Sequence, residues 1–326
     1  MAETLVSVHN VSRRFVKPVG WAEKIANALR ADYREVVVHA LDDVSLRIDR
    51  GDVLGVVGES GCGKSTLGRV VAGLLAPSSG SVEFLPVVAG ESGSEEKRRL
   101  ARQMIFQDPS ASLNPRMRIG DQVGEAAVAH CFVNASEMRE YVVDMLGKVG
   151  LDASSLTRYP HQFSGGQRAR IGIARALAVK PQLLVCDESV AALDVSIQAQ
   201  VLNLFAELRE SLGLTYMFIS HDLGVVQHLS TRVAVMYLGR VVETGPAAGM
   251  FSSPQHPYTQ ALLAAMPVIR TGRQAFATIR GEVASPVNPP SGCHFHPRCP
   301  RAEARCREEK PALVPRGDVH VACHFV

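Results

Sequence analysis

No apolar run in this chain approaches the roughly 18 residues that a membrane-spanning helix needs. Charge of one sign is missing as well: 35 Lys and Arg face 32 Asp and Glu, a formal net charge of +3. That balance leaves no overall electrostatic footprint for nucleic acid. The opening residues, MAETLVSVHN, have neither the basic nor the apolar stretch of a secretory leader. Internal repeats are absent, and so is compositional bias. Apolar residues make up 46% and charged residues 21% of the 326, which excludes disordered, collagen-like and mucin-like chains. The expectation is a soluble, cytosolic protein of one large or two modest domains.

Seven cysteines are present, and their distribution is uneven. Cys62, Cys131 and Cys186 are scattered through periodic segments, where a small buried hydrophobe is expected. Cys293, Cys299, Cys306 and Cys323 crowd the end of the chain. Disulfides are disfavoured in a reducing compartment, so ligation of a metal or cluster is open. Their spacing lacks the close C-x₂₋₄-C pairs of structural zinc sites, and four thiolates also form the ligand set of an iron–sulfur cluster. Cluster, zinc and free thiols all remain open on the residues alone.

Short β-like runs occur at 5–8, 36–38 and 44–48, with a basic, helix-compatible insert at 17–34. Residues 53–57, VLGVV, form the continuous apolar run of a buried parallel strand. A glycine loop follows, then helical periodicity over 67–75 and a turn at 77–80. Residues 86–96 read as a surface loop. After a strand candidate at 104–106, helical signals dominate from about 110 to 162, including 137–149. Strand candidates at 183–187, 215–220 and 233–237 then alternate with helical segments at 167–178 and 196–212. This alternation predicts a parallel sheet covered on both faces. Beyond Pro246 a short helix at 258–265 leads into a tail rich in Pro, Arg, His and Cys.

Gly58-Glu59-Ser60-Gly61-Cys62-Gly63-Lys64-Ser65-Thr66 fits G-x-x-x-x-G-K-[ST] between a strand and a helix. The glycines let successive N–H groups face phosphate oxygens, and the helix adds its positive end. Lys64 supplies charge to the outer phosphates and Ser65 a hydroxyl for Mg²⁺. Leu183-Leu184-Val185-Cys186-Asp187-Glu188 is an apolar strand ending in two carboxylates. Beside a phosphate loop, Asp187 would hold Mg²⁺ through water and Glu188 would polarise the attacking water. Ser164-Gly165-Gly166-Gln167-Arg168 opens a helix whose free N–H groups form a second anion site. Its candidate ligand is the γ-phosphate held by another subunit. His221 follows a strand and could reach the γ-phosphate of its own site.

In this order the motifs resemble the ATP-binding subunits of ABC transporters. They comprise the Walker A loop, Gln107 in FQDP, SGGQR, LLVCDE, Asp194 after Ala192-Leu193, and His221. Phe15 stands where that family places an aromatic on adenine, and Ser189 departs from the family's usual Pro. The resemblance implies an α/β fold: a P-loop core with an N-terminal antiparallel β subdomain, a helical insertion and a small C-terminal appendage. The ATPase domain is expected over 1–250, with its insertion at about 110–165, and the appendage over 251–326.

The stretches SLNPRM at 112–117, HPYTQALL at 256–263 and GCHFHPRC at 292–299 resemble dipeptide and oligopeptide importer ATPases more closely. This implies ATP hydrolysis coupled to uptake of small peptides, with nickel or another solute as the alternative. A soluble ABC ATPase acting on nucleic acid and a regulatory iron–sulfur module are rivals from other classes. The duplicated cassette or coiled coil of the first is absent, and the intact Glu188 and His221 oppose the second. The implied roles are catalytic for Glu188, His221 and Gln107, with Mg²⁺ held through Ser65, Gln107 and Asp187. Partners would be a second ATPase subunit, identical or not, two permease subunits and an extracytoplasmic solute-binding protein. The chain would sit peripherally on the cytoplasmic face of the inner membrane. The resemblance also implies a 4Fe–4S cluster on Cys293, Cys299, Cys306 and Cys323. It is expected to order a tail poor in apolar periodicity and to stand apart from the ATP chemistry.

Overall fold

A computed structural model describes residues 3–18, 35–85, 95–108, 112–266, 279 and 281–326. Most of the basic insert at 17–34 and of the loop at 86–96 lies outside these residues. Strands β1 (Thr4–Lys17) and β2 (Val36–Asp49) pair antiparallel. The chain continues through β3 (Val53–Val57), α1 (Lys64–Val71) and β4 (Ser79–Phe84), and β4 returns to the other edge of β1. The sheet β2-β1-β4 is the expected N-terminal antiparallel subdomain.

After α2 (Glu95–Leu100) and β5 (Arg102–Ile105), the helical insertion contributes α3 (Ile119–Ala129) and α4 (Met138–Lys148). The αβ alternation then resumes with α5 (Gly165–Leu177), β6 (Leu183–Asp187), α6 (Val195–Leu212), β7 (Thr215–Ile219), α7 (Leu223–Leu229) and β8 (Arg232–Tyr237). Strands β8-β3-β7-β6-β5 run parallel, in that order. Every residue of β3, β6 and β7 is buried, as a sheet covered on both faces requires. One face packs on α1 and the N-terminal sheet through Leu67, Val70 and Val71. The other packs on α5, α6 and the insertion through Ile171, Phe205 and Val142.

Two expectations need correction. Cys131 is exposed, because it lies just past the end of α3 with φ +58° rather than on its buried face. Helix α1 begins at Lys64, three residues earlier than its apolar periodicity suggests, because the glycine loop feeds straight into it.

Beyond β8 the sheet continues antiparallel into β9 (Arg240–Pro246). Helices α8 (Ala247–Ser252), α9 (Pro257–Ala264) and α10 (Ala304–Glu308) precede a final hairpin, β10 (Val314–Arg316) and β11 (Val319–Val321). Strand β11 pairs with β9, so the tail extends the main sheet. Apolar periodicity is weak here because the tail is anchored by single large residues on turns. Phe295, 1% exposed, packs its ring 5.2 Å from Tyr237 and 5.3 Å from Tyr258. The HPY stretch caps a helix: His256 Nδ1 accepts from the Tyr258 N–H and Pro257 occupies the first turn. Buried Glu243 accepts from the N–H groups of Gln255 and His256, and burial lowers the His256 pKa to about 4. Hydrophobic and aromatic packing therefore orders the tail. Phe295→Ala should destabilise the protein by about 3–5 kcal/mol in urea denaturation; a change below about 1 kcal/mol would show that the anchor lies elsewhere.

Candidate functional site

Parallel strands deliver their carboxyl ends to one edge of the sheet, and four of them, β3, β5, β6 and β7, carry the motif residues. The loop after β3 carries Gly58 to Gly63. Gly63 has φ +105°, and a Cβ there would lie 2.3 Å from the Ala40 carbonyl oxygen, so only glycine lets the loop enter α1. The Lys64 ammonium folds back over the loop and donates to the carbonyls of Gly58 (2.8 Å) and Glu59 (2.9 Å). Ser65 Oγ donates to Asp187 Oδ1 at the end of β6, at 2.8 Å. Burial raises the Asp187 pKa, the Ser65 hydroxyl offsets part of that rise, and the neighbouring Glu188 charge adds to it.

Glu188 adopts φ +47° and its N–H bonds the Ile219 carbonyl, which turns its side chain off the end of β6. Gln107 Nε2, beyond β5, donates to Glu188 Oε2 at 2.9 Å. His221 Nδ1, beyond β7, lies 3.4 Å from the same oxygen on a largely exposed ring. Ser189, in place of Pro, is buried beside this cluster. One cavity is lined by Phe15, Ser60, Gly61, Gly63, Lys64, Ser65, Thr66, Gln107 and Glu188, with Val38 and Ala40 of β2 beside Phe15. Phe15 is 40% exposed and carries the Arg13 guanidinium 4.8 Å from its ring centre. The Ser65, Gln107 and Asp187 oxygens are the hard donors that Mg²⁺ takes.

None of residues 164–167 lines that cavity. Ser164 and Gln167 cap α5 reciprocally: Ser164 Oγ accepts from the Gln167 N–H, and Gln167 Oε1 from the Ser164 N–H. A Cβ on Gly166 would lie 2.4 Å from Ile197 of α6, so this turn and the Asp194 turn are held together. Ser164, Gly165 and Asp194 are exposed, and Val195 beside them is 85% exposed. A second groove runs between the Gln107 region and the helical insertion, lined by Phe106, Met117, Ala126, Ile173 and Phe205. Gln122 holds the SLNPRM turn against it through both its amide groups.

The four terminal cysteines are brought together. Cys293, Cys299, Cys306 and Cys323 line one small cavity with His256, His296 and His324. Burial and the neighbouring thiols push the Cys293 thiol up to about 11. Among the described residues, however, no group of three or more His, Cys, Asp or Glu side chains is placed to hold a metal ion. The tail also reaches the glycine loop, which sequence reasoning missed. Arg298 forks onto the Glu59 carboxylate at 2.6 and 3.0 Å, and the Tyr258 hydroxyl accepts from the Glu59 N–H at 2.9 Å. Pro286 walls the phosphate-loop cavity, and its carbonyl accepts from the His39 N–H. Both Tyr258 and Arg298 stood in stretches already singled out, but nothing local in those stretches points to a partner as far as 239 residues away.

Comparison with known proteins agrees with this geometry. The ABC transporter family profile matches residues 41–191, and the oligopeptide/dipeptide transporter C-terminal region matches 242–306. The dipeptide transport ATP-binding protein DppF of Haemophilus influenzae is 50% identical over 89% of this chain and 90% of its own length. The oligopeptide transport ATP-binding protein AppF of Bacillus subtilis is 49% identical over 88% of this chain and 90% of its own. Among solved structures, the dimeric post-hydrolysis ATP-binding cassette MJ0796, bound to ADP and Pi, superposes with a TM-score of 0.60. That likeness is 25% identical, over 74% of this chain and 99% of the cassette.

Proposed function

The chain belongs to the ATP-binding subunits of ABC transporters, and from that premise we propose that it hydrolyses ATP to drive uptake of di- or oligopeptides. The observation that carries the reading is the convergence of Lys64, Ser65, Asp187, Glu188, Gln107 and His221 on one phosphate loop. ATP enters with its base against Phe15 and its phosphates on the N–H groups of residues 60–66. Lys64 then exchanges its bonds to the Gly58 and Glu59 carbonyls for phosphate oxygens. Mg²⁺, held by the oxygens of Ser65, Asp187 and Gln107, would neutralise charge on the outer phosphates. Glu188 accepts the proton of the attacking water, and His221 donates a hydrogen bond to the γ-phosphate.

The helix start at Ser164, Gly165, Gly166 and Gln167, exposed at Ser164 and Gly165, serves the nucleotide of a second ATPase subunit, with Asp194 beside it. That assignment is supported by its exclusion from the chain's own cavity, and the MJ0796 cassette was solved as a dimer. Hydrolysis removes the bridging γ-phosphate, so the two subunits separate. The groove between Phe106 and the insertion takes a short cytoplasmic helix of the permease and carries that motion to the membrane. The chain works peripherally on the cytoplasmic face, supplied by a solute-binding protein outside. We assign the ATPase work to residues 1–250 and the importer-specific role to 251–326.

The four cysteines around one cavity suit a 4Fe–4S cluster better than zinc. Their spacing lacks the close C-x₂₋₄-C pairs of structural zinc sites, and four thiolates form the ligand set of such a cluster. The cluster would tie Cys293, Cys299, Cys306 and Cys323 into one unit, since ligand binding to the folded state is folding free energy. Its proposed role is structural or oxygen-sensing, since no sequence motif supplies a redox partner.

Three outcomes test this reading. Glu188→Gln should retain ATP binding and lose at least about 10²-fold in turnover, whereas Lys64→Ala should lose affinity; a wild-type rate in Glu188→Gln would remove Glu188 as the base. Specific activity of the isolated chain should climb with its concentration, and a high, concentration-independent rate would rule out a shared site. Protein purified without oxygen should be brown and hold about four iron atoms per chain. Colourless protein with one zinc, or with four titratable thiols, would eliminate the cluster.

A further inference from the structure

Glu59, the second residue of the glycine loop, is held on three sides. Its carbonyl accepts from Lys64 Nζ at 2.9 Å, its N–H donates to the Tyr258 hydroxyl, and its carboxylate receives both arms of Arg298. Two of those three contacts come from the tail. The Arg298 side chain is 5% exposed and lies 5.9 Å from the centre of the Tyr237 ring, so its fork is fixed before it meets Glu59. The turn that carries Arg298 is itself closed: its N–H donates to the Phe295 carbonyl, and Cys293 N–H donates to the Cys306 carbonyl. A short chain of contacts thus runs from the cysteine cavity to the ammonium of Lys64.

We infer that Arg298 is a positioning residue of the nucleotide site, acting through Glu59 to set the angle of the loop on which Lys64 rests. The inference deepens the proposed ATP site and rests on it. It also reverses the expectation that the cysteine segment stands apart from nucleotide binding. Arg298 never meets ATP. Without its fork, the Glu59 peptide keeps only the Tyr258 contact from the tail side and can rotate. The N–H groups of residues 60–66, which follow on the same loop and take the phosphates, then lose their fixed orientation. Ground-state binding weakens, whereas Glu188, Gln107 and His221, which hang from other strands, keep their arrangement. The signature is therefore a change in KM with little change in kcat.

The test uses the full-length protein, with MgATP binding measured by titration calorimetry and turnover measured at saturating protein. Arg298→Ala and Glu59→Ala should each raise Kd and KM for MgATP by about fivefold or more, the scale of a lost charge-assisted contact, with kcat within about twofold. The double variant should be no worse than the weaker single one, because both remove one interaction. Exchange of the pair, Glu59→Arg with Arg298→Glu, should recover part of the loss. Should Arg298→Ala fail to fold, Arg298→Lys keeps the charge without the fork and should still raise KM. An unchanged KM in a folded Arg298 variant, or additive losses in the double variant, would overturn the inference. Loss of MgATP binding in Lys64→Ala, measured alongside, keeps the ATP site itself on separate ground: that loss with an unchanged Arg298 variant sinks only the role of Arg298.

Discussion

The parallel register of β3, β6 and β7 is the constraint on which the rest depends. Parallel strands must all end at the same edge, so the glycine loop, the carboxylates and the His221 turn meet there although they are far apart in the chain. Burial of every residue in these strands fixes the register, since a slip by one residue would turn a filled side-chain layer against the wrong neighbours. The Ser65–Asp187 hydrogen bond ties the start of α1 to the end of β6 across that edge. The electrostatics follow from this geometry. Two adjacent carboxylates at a buried strand end repel each other, which burial and the Glu188 charge register as a raised Asp187 pKa.

Within the chain, the charged groups of the site find partners of their own. Lys64 sits on two carbonyls, and Glu188 takes a hydrogen bond from Gln107 and has His221 nearby. Binding ATP is therefore an exchange of partners, and the net gain is smaller than the count of new bonds suggests. Such an exchange is sensitive to small displacements of the loop. A peptide group turned by a fraction of an ångström strengthens or weakens the resident partner directly, without touching the ligand.

How much was legible in the sequence follows from how local each signal is. The loop from Gly58 to Thr66 announces itself because strand, glycines and lysine are contiguous. The pair Asp187 and Glu188 is legible because an apolar run ends in it. The helical insertion and the β-like runs of the N-terminal sheet could be read from the residue pattern, and the antiparallel pairing of those runs from the resemblance; both stand as expected. Cys131 was misplaced because a residue two steps past a helix end inherits the helix's period without its burial. The tail was legible only as a likeness. Its anchors are single residues, Phe295 and Arg298 on one turn and Tyr258 in the first turn of α9, and their partners lie in β8 and the glycine loop. No window of sequence contains both halves of such a contact.

The edge of the sheet explains why the tail and the glycine loop came to share a core. Strand β9 would otherwise end the sheet with unpaired N–H and C=O groups, a liability that proteins cover. Strand β11 covers it, and the hairpin with β10 becomes the new, much shorter edge. That placement draws the preceding cysteine segment across the face of β8, where Tyr237 receives Phe295. Phe295 stands between Cys293 and Cys299 in sequence and against Tyr258 in space, and the Tyr258 hydroxyl lies on the Glu59 N–H. Aromatic packing is stiff, because interiors are as dense as organic crystals and transmit strain rather than absorb it. Whatever fixes or frees the cysteine turn is therefore felt at the second residue of the phosphate loop.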